Sequence, residues 1–182
     1  VLTIALFIGL SITAFAAGGG GVITADPTKH FHPKGKMPSK FTIELQNGLR
    51  KTLPFGDKRD FEEAKKGFIA APPYKQIMAE AGNVAWDMGN YEFLLQGENF
   101  DSIHPSLQRQ AVLNMSYGLY EVAPGKIFQV RGFDLANMSF IKGDTGWIVF
   151  DTLTTKETAE AGLALINEKL GQRPVVAVVY SH

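Results

Sequence analysis

Two polar residues that follow strand-like segments are the best placed in this chain to do chemistry. Asp151 ends the run GWIVFD, and His182 ends the run VVAVVYSH. A carboxylate and an imidazole are common ligands of a divalent metal ion, and both also serve in general acid–base catalysis. On their own they are a weak signal. A histidine after a strand is usually a solvated or packing residue, and Asp151 could equally cap the helix that follows it.

Other polar residues give weaker signals. His30 and His32 are two residues apart in HFH, but a metal site there would need a third ligand, and the surrounding segment is rich in proline. Solvated loop residues are therefore the favoured interpretation. The basic cluster KGKMPSK is too small for a nucleic-acid footprint. We expect Ser181 to have no neighbouring base, which argues against a serine nucleophile.

The composition narrows the chemistry further. The 182 residues include no cysteine, so any metal site must use histidine, carboxylate or water. Lysine plus arginine equal aspartate plus glutamate at 18 each, a balance that favours neither nucleic acid nor an anionic membrane surface as a partner. The length predicts one domain or part of a larger one.

The first 21 residues have the character of an export signal. The run VLTIALFIGLSITAFAAGGGG is uncharged and apolar, and Ala14-Phe15-Ala16 fits the small-x-small pattern before a cleavage point. An uncleaved membrane anchor is the alternative. We interpret residues 1–21 as a signal peptide and glycine linker. This predicts a periplasmic or secreted protein with no stable membrane span after cleavage. Because the usual initiator methionine and positive residues are missing, we expect the sequence to be incomplete at its start.

The elements that must position Asp151 and His182 form a strand–helix–strand unit. The runs KIFQVRGF, NMSFIKG and GWIVFD predict three strands, the last two joined by a hairpin turn at GDTG. The next segment predicts a helix, with Thr154 and Glu157 as its capping box and Gly171 as its C-terminal cap. VVAVVY then predicts a strand buried on both faces. The two strands of such a unit are parallel, so both polar residues are expected at the ligand-binding edge of one sheet.

The preceding residues, 22–125, are expected to form an extended arm with short helices, before a domain over 126–182. The predicted elements of the arm are a short strand at KFTIEL, a helix from Asp57 to Ala70 capped by Asp60 and Glu63, and a helix at about 105–114 with Pro105 in its first turn. The segment between these two helices is expected to have little regular structure. Its aromatic residues are expected to pack in the core: Trp86, Tyr91, Phe93 and Phe100.

The block QVRGFDLANMSFIKGDTGWIVFD, with NVAWDM before it, resembles the alkyl sulfatases of the metallo-β-lactamase superfamily. The resemblance extends from about Lys40 to the end of the chain. It implies an α/β fold, the αββα sandwich of that superfamily, with only its N-terminal part present here. In that family the strand matching VVAVVY runs into an HxHxDH zinc motif. The resemblance therefore implies that His182 is the first histidine of this motif and a metal ligand.

The same resemblance implies a function and its participants. The family uses two zinc ions to activate a water or hydroxide that cleaves the sulfate ester of a small alkyl sulfate. The other ligands and the residues that hold the sulfate and the alkyl chain would lie beyond residue 182. No catalytic group is then expected within the chain, which alone would be inactive, and the homodimer of the family would form only in the full-length parent. Asp151 would orient a ligand or support the structure. Asp134 and Asn137 are expected to make turn and backbone hydrogen bonds.

Two alternatives remain open at this point. One is another hydrolase of the same superfamily, of the lactamase or thioesterase type, whose substrate would be chosen by the pocket beyond residue 182. The other is a secreted, non-catalytic binding module on the same scaffold. Residues of the form xHxDH after His182 would favour a hydrolase, and a broken motif would favour the binding module.

Overall fold

Residues 37–182 are described by a computed structural model, and their strands form a six-stranded sheet and a separate two-stranded hairpin. The helices are α1 (Lys40–Thr52), α2 (Arg59–Glu63), a 3-10 helix (Glu92–Gln96), α3 (Pro105–Asn114) and α4 (Lys156–Leu170). The strands are β1 (Phe68–Ala70), β2 (Gln76–Met78), β3 (Val84–Asp87), β4 (Gly118–Ala123), β5 (Ile127–Arg131), β6 (Met138–Lys142), β7 (Trp147–Phe150) and β8 (Val175–Val179). The predicted export segment, His30 and His32 lie outside the described residues.

The six-stranded sheet has the order β1-β4-β5-β6-β7-β8. Neighbouring strands are antiparallel except β7 and β8, which are parallel. The predicted strands β5 to β8 and the parallel pairing across α4 are confirmed, because short hairpins and a helical crossover leave few other arrangements. β4 was not predicted from the sequence. The boundary expected between residues 125 and 126 falls within the β4–β5 turn, and both strands belong to this sheet.

One face of the sheet packs against α4. Val130, Met138 and Phe140 are almost completely buried on this face. Gly162 of α4 lies directly above Met138, since a Cβ at this position would be only 3.2 Å from the Met138 sulfur. The indole Nε1 of Trp147 donates to Asn167 Oδ1 at 2.8 Å, which gives the buried ring a partner for its only donor. The close packing of α4 fixes the position of the segment that follows β7.

The predicted strand at KFTIEL is wrong, because these residues begin helix α1. Ser39 Oγ accepts a hydrogen bond from the Thr42 backbone N–H at 3.2 Å, and so caps the first turn of the helix. The inward-facing positions Thr42, Gln46 and Leu49 recur every three or four residues, which is the helical period. Asn47 and Gly48, a dipeptide that is frequent in turns, lie inside this helix.

The helix predicted from Asp57 to Ala70 is also wrong beyond its first turns. Helix α2 ends at Glu63, and the chain then turns through Gly67, whose φ is +73°, into strand β1. The predicted capping pair is wrong as well, since α2 has no side-chain cap, and the Asp60 carboxylate instead accepts from Arg109 Nη1 at 2.7 Å. If the helix continued through residues 68–70, these residues could not form the backbone hydrogen bonds that pair β1 with β4.

The segment expected to lack regular structure forms the hairpin of β2 and β3, followed by the 3-10 helix. Among its aromatic residues, Phe100 is buried and packs edge-on against Phe93. Trp86 is half-buried and donates to the Gly132 carbonyl at 2.9 Å. Tyr91 is exposed, so the expectation of core packing is wrong for this residue. Helix α3 was predicted with its bounds, including Pro105 in its first turn.

Two predictions about the last strand–helix–strand unit need correction. The N-cap of α4 is Thr155, whose Oγ1 accepts from the Thr158 backbone N–H at 3.2 Å, so the capping box predicted with Thr154 is one residue out. Strand β8 was expected to be buried on both faces, but every residue in it is exposed. It is an edge strand of the sheet over the described residues, with β7 as its neighbour. The predicted cap at Gly171 is confirmed.

Candidate functional site

Asp151 leaves the end of β7 in an uncommon backbone conformation. Its N–H donates to the Val179 carbonyl at 2.9 Å and so continues the pairing of β7 with β8. Asp151 has φ +58° and Leu153 has φ +64°, in the left-handed region that residues other than glycine rarely adopt. Such residues persist where surrounding contacts hold them, and they are frequent near functional sites. The strained turn aims the Asp151 carboxylate across the sheet edge toward the end of β8.

That carboxylate accepts a hydrogen bond from each of the two donors of Ser181. Oδ1 accepts from the Ser181 backbone N–H at 2.7 Å, and Oδ2 accepts from Ser181 Oγ at 2.7 Å. The backbone hydrogen bond and then the hydroxyl hydrogen bond hold the pKa of Asp151 below its usual range, and the neighbouring His182 adds to this effect. Asp151 is therefore a carboxylate at neutral pH and can act only as an acceptor.

The hydrogen bond of Ser181 determines which nitrogen of His182 carries the proton. Ser181 Oγ lies 2.9 Å from His182 Nδ1. The single hydroxyl hydrogen of Ser181 forms the hydrogen bond to the Asp151 carboxylate, so Oγ must accept a hydrogen bond from Nδ1–H. In a neutral imidazole this leaves the lone pair on Nε2, which is the nitrogen then available to a metal ion. In this tautomer His182 does not present a basic nitrogen to Ser181, whose hydroxyl links the carboxylate to the imidazole.

Hydrogen bonds to Asp134 join the loop after β5 to the segment that follows Asp151, at the same edge of the sheet. Asp134 Oδ2 accepts from the Thr154 N–H at 2.8 Å, from Thr154 Oγ1 at 2.5 Å and from Thr158 Oγ1 at 2.9 Å. Its Oδ1 accepts from the Leu135 N–H at 2.5 Å. Burial by itself raises the pKa of Asp134, but the hydrogen bonds from Thr154, Leu135 and Thr158 outweigh it and the pKa is lowered. The predicted backbone hydrogen bonds of Asp134 are confirmed, and the threonine hydroxyls extend them.

A cavity of about 650 Å³ opens beside this loop. Gln129, Arg131 and the loop after β5 form one of its walls, and residues of β3, the 3-10 helix and α3 form the others. Sequence reasoning did not find this cavity, because its walls come from segments that are far apart in the chain.

The structure brings together the two residues that the sequence singled out. Asp151 and His182 meet at one sheet edge through Ser181, as their positions after parallel strands predicted. Their roles as ligand-orienting group and metal ligand stay predictions. Among residues 37–182 there is no group of three or more His, Cys, Asp or Glu that could hold a metal ion. Within the same part of the chain, no helix is long and apolar enough to cross a membrane.

Comparison with known sequences points to one group of enzymes. Residues 131–182 match the Metallo-beta-lactamase superfamily. Over 147 residues the chain is 49% identical to an (R)-specific secondary-alkylsulfatase of a Pseudomonas species, covering 81% of this chain and 22% of the relative. It is 46% identical to a linear primary-alkylsulfatase of a Pseudomonas species, over 81% of this chain and 22% of the relative. It is 41% identical to the alkyl/aryl-sulfatase BDS1 of Saccharomyces cerevisiae, over 80% of this chain and 22% of the relative.

A solved structure agrees with these relatives. The stereoselective inverting sec-alkylsulfatase Pisa1 from a Pseudomonas species superimposes with a TM-score of 0.74 at 49% sequence identity, over 81% of this chain and 23% of that chain. The predicted α/β fold of the metallo-β-lactamase type is thereby confirmed for the matched residues. The chain spans about 22% of the length of the curated relatives that it matches.

Proposed function

We propose that the whole protein that contains this chain hydrolyses alkyl sulfate esters to an alcohol and sulfate, because the chain is similar to alkylsulfatases and its residues 131–182 match the Metallo-beta-lactamase superfamily. The observation that carries the proposal is the link from Asp151 through Ser181 to His182 at the edge of the sheet. This link puts polar side chains at the carboxyl ends of the strands, where α/β sheets bind ligands. The similarity to three sulfatases selects the sulfate ester as the bond cleaved.

We propose zinc as the metal, with two ions in the whole protein and His182 as one ligand. The neutral imidazole with its Nε2 lone pair fits zinc, which binds histidine nitrogen readily. A catalytic zinc ion takes about three protein ligands, and the proposal assigns the ligands other than His182 to residues outside 37–182. When bound, zinc lowers the pKa of its water to about 7 and neutralises charge that develops on the sulfate oxygens.

In this proposal the described residues position the ligand. Asp151 accepts two hydrogen bonds from Ser181, and Ser181 Oγ accepts a hydrogen bond from Nδ1–H of His182, so the imidazole is held in one orientation and one tautomer. Partners of this kind commonly change metal affinity or activity by about 10- to 100-fold when they are removed. Export to the periplasm or the medium and a homodimeric whole protein stay predictions of the sequence.

The proposal is tested with the whole protein that contains this chain, by measuring sulfate release from dodecyl sulfate together with zinc content. We expect His182→Ala to lower kcat/KM by about 100-fold or more, which corresponds to about 2.7 kcal/mol of barrier. His104→Asn is the matched control. His104 caps α3 by accepting from the Ser106 N–H, and asparagine is a good cap, so activity should be kept.

Two outcomes would contradict the proposal. One is a wild-type protein that releases no sulfate from any alkyl sulfate, and the other is a His182→Ala variant that keeps full activity and zinc. The 182-residue chain by itself is expected to release no sulfate. Tight stoichiometric zinc with turnover in that chain would overturn the placement of the other ligands.

A further inference from the structure

The turn between β7 and α4 carries the Asp151 carboxylate toward Ser181, and two of its residues adopt a backbone conformation that costs free energy. Asp151 and Leu153 both have a positive φ, at +58° and +64°. Neither residue is a glycine, so its Cβ lies too close to its own backbone in this conformation. A turn of this kind keeps its shape only where the contacts around it hold it in place.

The sheet holds the first end of this turn. Phe150 pairs with Val179, and the Asp151 N–H donates to the Val179 carbonyl at 2.9 Å. Further along, the Leu153 side chain packs against the hydrophobic core. Apolar packing is not directional, so it does not by itself set the backbone dihedral angles of residues 152–154. The direction of the Asp151 carboxylate therefore depends also on the contacts at the second end of the turn.

Asp134, in the loop after β5, holds the second end. Thr154 donates twice to Asp134 Oδ2, from its backbone N–H at 2.8 Å and from its hydroxyl at 2.5 Å. Hydrogen bonds to a carboxylate are stronger than those between neutral groups. Since both the backbone and the side chain of Thr154 are bound, this residue can neither shift nor rotate without losing a hydrogen bond.

Asp134 itself is firmly held. It is 6% exposed, and the preceding Phe133 is completely buried. Its Oδ1 accepts from the Leu135 N–H at 2.5 Å, and its Oδ2 accepts a further hydrogen bond from Thr158 Oγ1 at 2.9 Å. Strands β5 and β7 run in the same direction, because β6 is antiparallel to both. The loop after β5 therefore leaves the sheet at the edge where Asp151 leaves it.

We propose that Asp134 is a positioning residue for His182. Asp134 fixes Thr154 and with it the turn that aims the Asp151 carboxylate. That carboxylate binds Ser181, whose Oγ lies 2.9 Å from His182 Nδ1. This role rests on the proposed function, in which His182 is a zinc ligand. It deepens that function by extending the support of the ligand to the loop after β5, a strand that lies three positions from β8 in the sheet.

The test is the zinc affinity of the whole protein that contains this chain, measured without turnover by competition between the metal-free protein and a chromophoric chelator. Substitution of the buried Asp134 would also lower the stability of the fold, so the variant of choice is Thr154→Val at an exposed position. Valine keeps the backbone N–H and nearly the shape of threonine and removes only the hydroxyl. We expect zinc binding to weaken by about tenfold.

Two further variants are the controls. Thr154→Ser keeps the hydroxyl that Asp134 accepts, so its zinc affinity should stay within about twofold of the wild type. Thr52→Val makes the same change at an exposed threonine of α1, whose hydroxyl donates to the Gly48 and Leu49 carbonyls. It should leave zinc affinity unchanged. Urea midpoints of the metal-free proteins record any loss of stability separately.

A double variant distinguishes positioning from a structural role. Ser181→Ala removes the hydroxyl between Asp151 and His182 and should weaken zinc binding by about tenfold. If Thr154 acts through Ser181, adding Thr154→Val to Ser181→Ala should weaken binding further by less than about threefold, because the effects of residues in one network are not additive. An independent effect of Thr154 would instead appear in full in the double variant.

The outcomes separate this role from the proposed function. Zinc affinity of Thr154→Val within about twofold of the wild type would overturn the positioning role while the proposed function stands. An equal loss in Thr154→Ser or Thr52→Val, or a fully additive loss in the double variant, would overturn it as well. A wild-type protein that binds no zinc would overturn the proposed metal site, and the positioning role with it. A loss in Thr154→Val that is absent from both controls and is not additive with Ser181→Ala supports the role.

Discussion

At the scale of single residues, two aspartates organise the sheet edge by hydrogen bonding. Asp151 fixes Ser181 and through it His182, whereas Asp134 fixes Thr154 and the start of α4. Both carboxylates have lowered pKa values. For Asp134 burial opposes the effect, but its hydrogen bonds prevail. Both aspartates are therefore ionised at neutral pH, and as carboxylates they accept the hydrogen bonds that hold this edge of the sheet together.

We expect Asp134→Asn to destabilise the fold by about 2–3 kcal/mol, because the amide nitrogen of asparagine would face backbone and hydroxyl donors in a buried place. Urea unfolding measures the change. Asp144→Asn is the control, since Asp144 is exposed on the β6–β7 turn, and it should stay within about 0.5 kcal/mol of the wild type.

The pH dependence of this difference has a defined sign. The pKa of Asp134 is lower in the folded chain than the ordinary value of 3.8, so its contribution to stability is complete above that value and is lost as the pH falls through it toward the folded pKa. The difference in the free energy of unfolding between the wild type and Asp134→Asn should therefore become smaller as the pH falls from about 5 to about 3. A stability difference that increases on acidification would contradict a lowered pKa of Asp134 in the folded chain.

At the scale of secondary-structure elements, tertiary contacts determine the outcome where the local sequence is compatible with both a helix and a strand. The stretch after α2 has apolar residues at helical spacing, yet it forms β1, because a turn at Gly67 delivers it to β4. The Glu121 N–H donates to the Gly67 carbonyl at 2.7 Å across this contact. Only glycine fits there, since φ is +73° and a Cβ would overlap the Glu121 carbonyl oxygen.

Gly67→Ala should therefore cost about 2–5 kcal/mol, from the left-handed backbone and the steric overlap together. Gly125→Ala is the comparison, because its φ is +66° but no atom lies within 4 Å of an added Cβ. Its cost should be about 1–2 kcal/mol. Equal urea midpoints for the two variants would show that the close approach of Gly67 to β4 is not important for stability.

At the scale of the whole molecule, the six-stranded sheet packs against α4 on one face, and β8 is one of its two edge strands over the described residues. β8 is apolar in sequence but exposed along its length, and its neighbour Phe150 is exposed as well. An exposed apolar edge strand is a template for pairing with another chain.

We accordingly expect the 182-residue chain to self-associate through β8. Val176 is 51% exposed in this strand, and Val176→Lys should reduce the associated fraction in sedimentation velocity, because a charge on an edge strand opposes pairing. Leu107→Lys, at an exposed leucine on α3, should leave association as it is. A chain that stays monomeric at high concentration would contradict the prediction.

The sequence alone determined the elements with strong local signals. The strands β5 to β7, the hairpin turn, α3, α4 with Gly171 as its cap, and the parallel β8 all follow from patterns of apolar residues and turn residues over short distances. From these, chain topology placed Asp151 and His182 at one edge, because the ends of parallel strands coincide.

Only the tertiary structure decided what depends on distant partners. The Ser39 cap and the contacts of α1 stabilise a helix where the sequence pattern resembles a strand. Pairing with β4 makes the residues after α2 a strand of the sheet. Ser181 became the link between Asp151 and His182, and a cavity formed from several separate segments. Such features arise from long-range packing and hydrogen bonding, whose free energies exceed the small local preferences that a sequence pattern reports.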